Sequence, residues 1–355
     1  MKILQVITSL RTGGAEKLVI DLVPRLREKG NQIDVALFDG IDTPFKHRLK
    51  ECGCKVYDLG HSMYSPMCIF KLIPLMKLYD VVHTHNTSSQ LYAAIANKFV
   101  HTKLVTTEHS TNNRRRSNRL FYYLDQWMYK QYDHIVCISD KAKDNLISYL
   151  GKKTNNIVTI YNGVDVEFFQ QAKPNMEWRK DSKPFVIVMV ASLHWQKDQD
   201  TVIKSLAYLP KDDFEFWIVG DGNRKWELQH LIENLKVESI VKFWGIQSDI
   251  AEILHTADVV IMSSHFEGLS LSSIEGMSVG KPFIASDVDG LHEIVKDAGL
   301  LFPHQDAEAL SKILLHLRQD KEYSKQVADT CYEKAKQYDI SKMVGAYDSL
   351  YKSLK

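Results

Sequence analysis

The sequence predicts an α/β protein built from two Rossmann-like domains in tandem. Three observations predict it. The chain has 355 residues, with 45% hydrophobic and 25% charged content, enough for two ordinary globular cores. Short aliphatic runs alternate with stretches of helical period along most of its length, the pattern of a buried parallel sheet whose strands are joined by helices. The alternation breaks once, between Phe168 and Pro184, where the sequence is polar, aperiodic and holds Pro174 and Pro184, and then resumes.

In chain order, the first half gives strands at Lys2 to Ile7, Ile33 to Phe38, Lys55 to Asp58, Val81 to His85, Leu104 to Thr107 and His134 to Ser139. Each is a run of four to six mainly apolar or β-branched residues, and helical patterns lie between them. After the break, strands are expected at Phe185 to Ala191, Glu215 to Val219, Val241 to Trp244, Asp258 to Met262 and Pro282 to Ala285. The last segment carries Met343, Val344, Tyr347, Leu350 and Tyr351 at helical spacing and reads as a terminal helix. The expected organisation is an N-terminal domain over residues 1–167, a linker over 168–184, a second domain over 185–338 and a C-terminal helix over 339–355. In such a pair the active site is expected in the cleft.

Composition narrows the function. Residues 1–165 hold 23 Lys and Arg against 15 Asp and Glu, a net +8, whereas residues 166–355 hold 22 against 29, a net −7. A basic first half is consistent with an anionic acceptor or membrane surface, and equally with a solvated face. The cysteines, Cys52, Cys54, Cys68, Cys137 and Cys331, have neither zinc-site spacing nor a secreted disulfide framework, so reduced thiols and a cytoplasmic setting are expected. The first apolar run is too short for a signal peptide, and no stretch reaches the roughly 20 apolar residues of a membrane span.

Candidate site residues fall where strands end. Gly13 and Gly14 sit between the first strand and the next helix, where backbone can approach a ligand and helix N–H groups are unpaired. G-x-G-x-x-G is missing, which argues against a dinucleotide-dependent dehydrogenase. His85 and His109 end two strands on the same expected sheet edge. Spacing places no third metal ligand beside them. Arg114, Arg115, Arg116 and Arg119 precede Phe121, Tyr122, Tyr123, Trp127 and Tyr129, a basic and aromatic segment suited to an anionic lipid surface or to a solvated turn and packed helix. No RNA-binding motif accompanies it, so nucleic acid is not expected as a partner.

In the second half, Lys197 follows the first strand, Gly220-Asp221-Gly222 the second, and Gly245 and Ile246 the third. Asp198-Gln-Asp200 and Asp287-Val-Asp289 satisfy a D-x-D metal pattern, but the first is placed to cap a helix and the second lies in a loop before Gly290. The most informative stretch is His265 to Gly280, HFEGLSLSSIEGMSVG, which follows a buried-strand run and leads into a short helix. A phosphate suits such a helix start. Glu267 and Glu275 bracket the loop and should face different parts of one ligand. Ser272-x-x-Glu275 also reads as a capping box, in which Glu275 would serve the helix alone.

Glu267, seven residues, Glu275 and then Gly276-x-x-x-Gly280-Lys281-Pro282 resembles the E-x7-E signature of retaining glycosyltransferases of GT-B fold, family 4. The resemblance extends over nearly the whole chain, including Gly13-Gly14-Ala15-Glu16, Thr107-Glu108-His109, Asn162-Gly163-Val164-Asp165 and Lys197. It implies two domains facing across a cleft, with the last helix crossing back to the N-terminal one. It implies that Glu267 and His109 contact the donor sugar, Glu275 the ribose and Lys197 the diphosphate. Backbone at Gly268, Leu269, Ser270 and Leu271 would hold the diphosphate, and Gly245 and Ile246 the base, with Gly220 shaping the turn beside them. Gly13 and Gly14 would border phosphate and acceptor, with His85, Arg114, Arg115 and Arg116 on the acceptor side.

The reaction implied is transfer of a sugar from a nucleoside diphosphate sugar, UDP rather than GDP, to a glycan or lipid-linked acceptor in bacterial surface polysaccharide assembly. No cofactor or metal is expected, and a peripheral contact with the inner face of the cytoplasmic membrane fits the basic segment. The family's arginine five residues before the lysine is Ser192 here, which leaves Lys197, or a substitute such as Arg224, to meet the diphosphate. The alternatives are a sugar-nucleotide epimerase, a glycan phosphorylase carrying pyridoxal phosphate, or a non-catalytic nucleotide-sugar or membrane-binding module.

Overall fold

A computed structural model describes residues 1–11, 13–109, 116, 118–151, 156–179 and 184–355. The apolar runs form parallel strands, most of them buried on both faces. β1 (Lys2–Ile7), β2 (Gln32–Leu37), β3 (Val56–Asp58), β4 (Val81–His85), β5 (Lys103–Glu108), β6 (His134–Cys137) and β7 (Ile157–Thr159) make one sheet in the order β3-β2-β1-β4-β5-β6-β7. β8 (Phe185–Val190), β9 (Phe214–Val219), β10 (Val241–Gly245), β11 (Val259–Met262), β12 (Phe283–Asp287) and β13 (Leu300–Pro303) make a second, in the order β10-β9-β8-β11-β12-β13. Each sheet reverses its winding once, between β1 and β4 and between β8 and β11. At a reversal the connecting segments leave the two strands in opposite directions, opening a crevice at their carboxyl ends.

The chain divides into one unit of Met1–Asn162 with Met343–Lys355, and another of Gly163–Lys342. The core of the first is aliphatic, with Leu4, Val6, Val82 and Leu104 fully buried. That of the second is more aromatic, with Phe214, Phe216, Trp217 and Phe283 at its centre. The helix Ile340–Lys352 buries Met343, Val344, Tyr347 and Tyr351, the stripe that the i, i+4 spacing predicts, as part of the first unit. Asn31 Nδ2 donates to its Asp348 Oδ1 at 2.9 Å, fixing the helix along its length.

Two strands were not foreseen. β7 and β13 are sheet-edge strands of three and four residues, too short to show a period, and β13 ends in Pro303, which an edge tolerates. The segment expected as a linker begins as the helix Val166–Gln171, capped by the Asp165 carboxylate on the Phe168 N–H at 3.0 Å. Further on, the Arg179 guanidinium forks onto Asp258 at 2.9 and 3.2 Å, and the Asn175 N–H donates to Thr256 Oγ1 at 2.8 Å. These bonds fasten the polar, aperiodic segment to the second unit; single anchoring contacts of this kind leave no periodic trace.

Candidate active site

The second unit's reversal brings together two of the expected residues. Lys197 leaves the end of β8 and Glu267 the end of β11, the adjacent strands at the switch point. Lys197 Nζ donates to Glu267 Oε1 at 2.5 Å, and Ser264 Oγ donates to the same oxygen at 2.6 Å. The Glu267 carboxylate is 8% exposed and the lysine 20%, so this pair is partly desolvated and its charge interaction gains strength. With Oε1 doubly engaged, Oε2 is the oxygen left to accept from a ligand hydroxyl.

The loop is shaped by its neighbours. The Glu267 N–H donates to the Asp289 carbonyl at 3.1 Å, the His265 N–H to the Gln196 carbonyl at 2.8 Å and Gln196 Nε2 to the Phe266 carbonyl at 2.9 Å. Gly290 has φ +85°, and a Cβ there would run into the carbonyls of Glu267 and Gly268. A glycine is therefore required to let this second loop press on the first.

The helix Leu271–Ser278 is capped by Ser270, whose hydroxyl accepts the Ser273 N–H at 3.3 Å. The cap expected at Ser272 falls instead at Ser270, so the helix starts two residues earlier than that motif requires. Glu275 then lies in the second turn, half-buried. Gly268 and Leu269 stay half-buried in the loop, while the amides of Leu271 and Ser272 open the helix without intrahelical partners, the arrangement that suits an anion.

Gly220, at φ +134°, packs its backbone so closely on the Ala191 carbonyl that a Cβ has no room, and its N–H donates to the Gly245 carbonyl at 2.8 Å. Its place is beneath the loop that carries Ser192. Gly245 has φ +65° and turns the chain so that Ile246 is exposed at the end of β10. Arg224 is not available as a second diphosphate cation: its guanidinium binds Asp200 in bidentate fashion at 2.6 and 3.0 Å and Glu227 at 2.6 Å. Of the D-x-D residues, Asp200 is thus consumed by Arg224, and Asp287 pairs with His292 at 2.6 Å.

In the first unit, the reversal between β1 and β4 gathers a buried chain of hydrogen bonds. Gln5 Nε2 donates to the Tyr351 hydroxyl at 3.1 Å, which turns Gln5 Oε1 toward His85 Nε2 at 2.7 Å. An amide oxygen only accepts, so His85 carries its proton on Nε2 and offers Nδ1 as a lone pair. His109 Nε2, 3.0 Å away, must then be the donor to it, and His109 presents Nδ1 unprotonated. That Nδ1 is enclosed and has no partner among the described residues. The other branch runs from the Tyr351 hydroxyl, donating to His83 Nδ1 at 2.6 Å, to Thr107 Oγ1 at 2.8 Å and on to the Tyr347 hydroxyl at 3.0 Å.

Burial pushes His83 down to about 3 and His109 down to about 4, and holds His85 well below the usual imidazole range. All three are neutral near pH 7. The arrangement presents a fixed neutral acceptor, His109 Nδ1, suited to a hydroxyl. His85 was expected on the acceptor side, but it is fully buried with both nitrogens engaged, so it orients His109 rather than touching a ligand. Arg116 is folded back, donating to the buried Glu108 carboxylate at 2.9 Å, where Tyr129 and Gln90 also donate at 2.6 Å each. Gly13 caps the helix Gly14–Glu28 in extended conformation, with the Glu16 side chain folded over it and open space at Gly14. Arg114 and Arg115 lie outside the described residues.

Sequence reasoning missed Gln5, Ser264, Gly290, Tyr347 and Tyr351. Gln5 alone left a signal, a wholly polar side chain in the middle of an apolar strand.

Comparison with known proteins agrees with this architecture. The model of the glycosyltransferase family 4 matches residues 12–168 and that of the glycosyl transferases group 1 matches residues 171–337. An Escherichia coli UDP-Gal:alpha-D-GlcNAc-diphosphoundecaprenol alpha-1,3-galactosyltransferase is 29% identical over 287 residues, covering 76% of this chain and 73% of that protein. A Campylobacter jejuni N,N'-diacetylbacillosaminyl-diphospho-undecaprenol alpha-1,3-N-acetylgalactosaminyltransferase is 25% identical over 335 residues, covering 86% and 88%. Among solved structures, Anabaena HepE in complex with UDP superposes with a TM-score of 0.87 at 23% identity, over 99% of this chain and 100% of that one. A glycosyltransferase from Rickettsia africae gives 0.86 at 22%, over 99% and 98%. With two family models that together span nearly all of its length and a GT-B fold, the chain is an enzyme of the group 1 glycosyltransferases, of the family 4 type.

Proposed function

We propose that this enzyme moves a sugar, with retention of configuration, from a UDP-sugar to a lipid-linked glycan acceptor during assembly of a bacterial surface polysaccharide. The observation that carries the reading is the Lys197–Glu267 pair at the sheet reversal, a cation and a half-engaged carboxylate side by side and partly desolvated. The UDP in the HepE complex and the diphosphoundecaprenol acceptors in the names of the two relatives support the donor and acceptor classes.

In this reading Glu267 Oε2 accepts from hydroxyls of the donor sugar and His109 Nδ1 accepts from another. Glu275 binds the ribose, and Gly245 and Ile246 border the base. The amides of the Gly268–Leu271 loop hold the diphosphate, and Gly13 and Gly14 serve phosphate and acceptor. The acceptor hydroxyl attacks the anomeric carbon on the face from which UDP departs. As the bond from that carbon to the phosphate oxygen breaks, the acceptor's proton passes to the departing diphosphate, and Lys197 stabilises the negative charge that builds there. The reaction takes no metal on the diphosphate. Arg114 and Arg115 meet an anionic acceptor, while Arg116 is engaged by Glu108.

A peripheral membrane contact is part of the proposal: Met67, Phe70 and Tyr123 are exposed on helices Met67–Met76 and Arg119–Tyr129 of the basic half. Among the described residues no helix is long and apolar enough to cross a membrane.

Calorimetric titration with UDP, GDP and ADP, with and without magnesium, tests the reading. UDP should bind most tightly, equally well without magnesium, and Glu275→Ala should weaken it by about 10-fold or more, the worth of a charged hydrogen bond. A preference for GDP, or unchanged UDP affinity in Glu275→Ala, overturns the corresponding assignment.

A further inference from the structure

Beside Lys197 and Glu267 lies a second cluster that the transfer reaction does not use. Asp198 follows Lys197 after β8, His265 precedes Glu267 after β11, and His304 follows Pro303 at the end of β13. His265 Nδ1 is 2.8 Å from His304 Nε2 and 3.9 Å from Asp198 Oδ2, and the three ligand atoms lie within 4.8 Å of one another. We propose that Asp198, His265 and His304 form a binding site for a divalent transition ion of the zinc class, which ties together the three loops around the Lys197–Glu267 pair.

The spacing fits such an ion. Ligand bonds of about 2.0–2.1 Å in tetrahedral geometry hold ligand atoms roughly 3.3–3.4 Å apart, between the two separations seen. Both deeper ligands are set in place. The Asp198 carboxylate is 3% exposed, and Thr201 Oγ donates to its Oδ2 at 2.7 Å, the outer-shell bond that orients a ligating carboxylate. Asp198 itself is held at φ +47°, the left-handed region, with Ser263 Oγ donating to its carbonyl at 2.7 Å. The His265 ring packs on Trp195, with centroids 4.4 Å apart, and its backbone N–H is fixed to Gln196. Only His304, which is exposed, has to turn, and an exposed side chain does so at small cost.

Charge points the same way. A buried carboxylate requires a compensating charge. Of the cations beside this loop, Lys197 is committed to Glu267 and Arg224 to Asp200 and Glu227, and among the described residues the basic group near Asp198 is His265. Two imidazoles and one carboxylate form a nitrogen-rich set that suits zinc or cobalt, whereas magnesium prefers oxygen ligands and keeps its waters. Three protein ligands leave a fourth position for water or a ligand oxygen. The site therefore stands apart from the question of whether the diphosphate needs magnesium.

The test is titration of the tag-free, metal-stripped full chain with Zn2+ by calorimetry and with Co2+ by visible absorption, beside His304→Ala and His265→Ala. The expected result is one ion per chain, a tetrahedral cobalt ligand-field band, and a loss of affinity of about 10-fold or more in each variant. Excess magnesium should not displace the ion. His304→Ala removes an exposed side chain and keeps the fold; UDP titration of the same sample reads the donor site separately, so failure of one assignment is distinguishable from failure of the other. Absence of a cobalt band, or a band of equal strength in His304→Ala, overturns the site.

Discussion

Lowering the pH from 7 to 5.5 should destabilise the first unit far more than the second. His83, His85 and His109 are buried and neutral there, with His83 pushed down to about 3 and His109 to about 4. Above the unfolded imidazole value of about 6.5, neither folded nor unfolded chain binds a proton at these sites, and they cost nothing. Below it the unfolded chain takes up a proton at each and the folded unit does not, so stability falls with falling pH until the folded values are reached. Each imidazole then removes about 1.4 kcal/mol per pH unit, and three of them together about 4 kcal/mol by pH 5.5 and about 6 kcal/mol by pH 5. Against a typical domain stability of about 5–15 kcal/mol, that brings the first unit close to unfolding. Among the described residues of the second unit burial lowers one imidazole, His255, which is only half-buried, so the corresponding loss there is smaller. Hydrogen exchange by mass spectrometry, corrected for intrinsic rates, reads both units in one sample. Peptides from β1, β4 and β5 should lose protection steeply below pH 6.5 while those from β8, β9 and β11 lose little. Equal, shallow loss in both units would refute the claim that these imidazoles are held neutral.

Other outcomes follow from single residues. Tyr351→Phe strands both His83 Nδ1 and a Gln5 N–H in a buried site and should cost about 2–5 kcal/mol, whereas Tyr347→Phe leaves Thr107 still bonded to His83 and should cost about 1 kcal/mol; similar protection factors for the two variants would contradict the wiring. Lys197→Ala should lower kcat by about 100-fold to 1,000-fold, the usual worth of one charge-stabilising donor, and a loss under about 3-fold in a donor-turnover assay would remove it from the mechanism. Gly290→Ala forces a side chain onto the Glu267 and Gly268 carbonyls at φ +85° and should cost more than about 1 kcal/mol together with UDP affinity, while Gly14→Ala, in open space at a helix start, should be neutral or slightly stabilising. Thermal unfolding with and without UDP separates the two.

Most strands of both sheets could be read from the sequence because a strand buried on both faces is a continuous apolar run, and that run needs no knowledge of its partners. β7 and β13 could not, since three or four residues at a sheet edge carry too little burial to write a pattern. The candidate residues Lys197 and Glu267 were legible for a related reason: both follow a strand end, and a reversal in strand order must bring the two strand ends beside it together. What was illegible is what each side chain does on arrival. Arg224 and Arg116 are cations near strand ends too, yet one is clamped by Asp200 and Glu227 and the other by Glu108, and no spacing along the chain announces those partners.

The terminal helix shows the same divide within a single element. Its apolar stripe predicts that it is buried on one face, and by that criterion Tyr347 and Tyr351 are merely large hydrophobic residues. Their hydroxyls make them more than that. Tyr351 reaches Gln5 across 346 positions of sequence and, by accepting from the Gln5 amide, decides which way that amide faces. The amide decides the tautomer of His85, and His85 decides that His109 Nδ1 carries a lone pair rather than a proton. An amphipathic helix with phenylalanine at these two positions would satisfy the hydrophobic pattern equally well. It would leave the amide free to flip, and with it the hydrogen-bonding sense of the nitrogen proposed to meet the donor sugar. Conservation of the apolar pattern is therefore not sufficient to preserve the site; the helix contributes a hydrogen-bond direction as well as a packing surface.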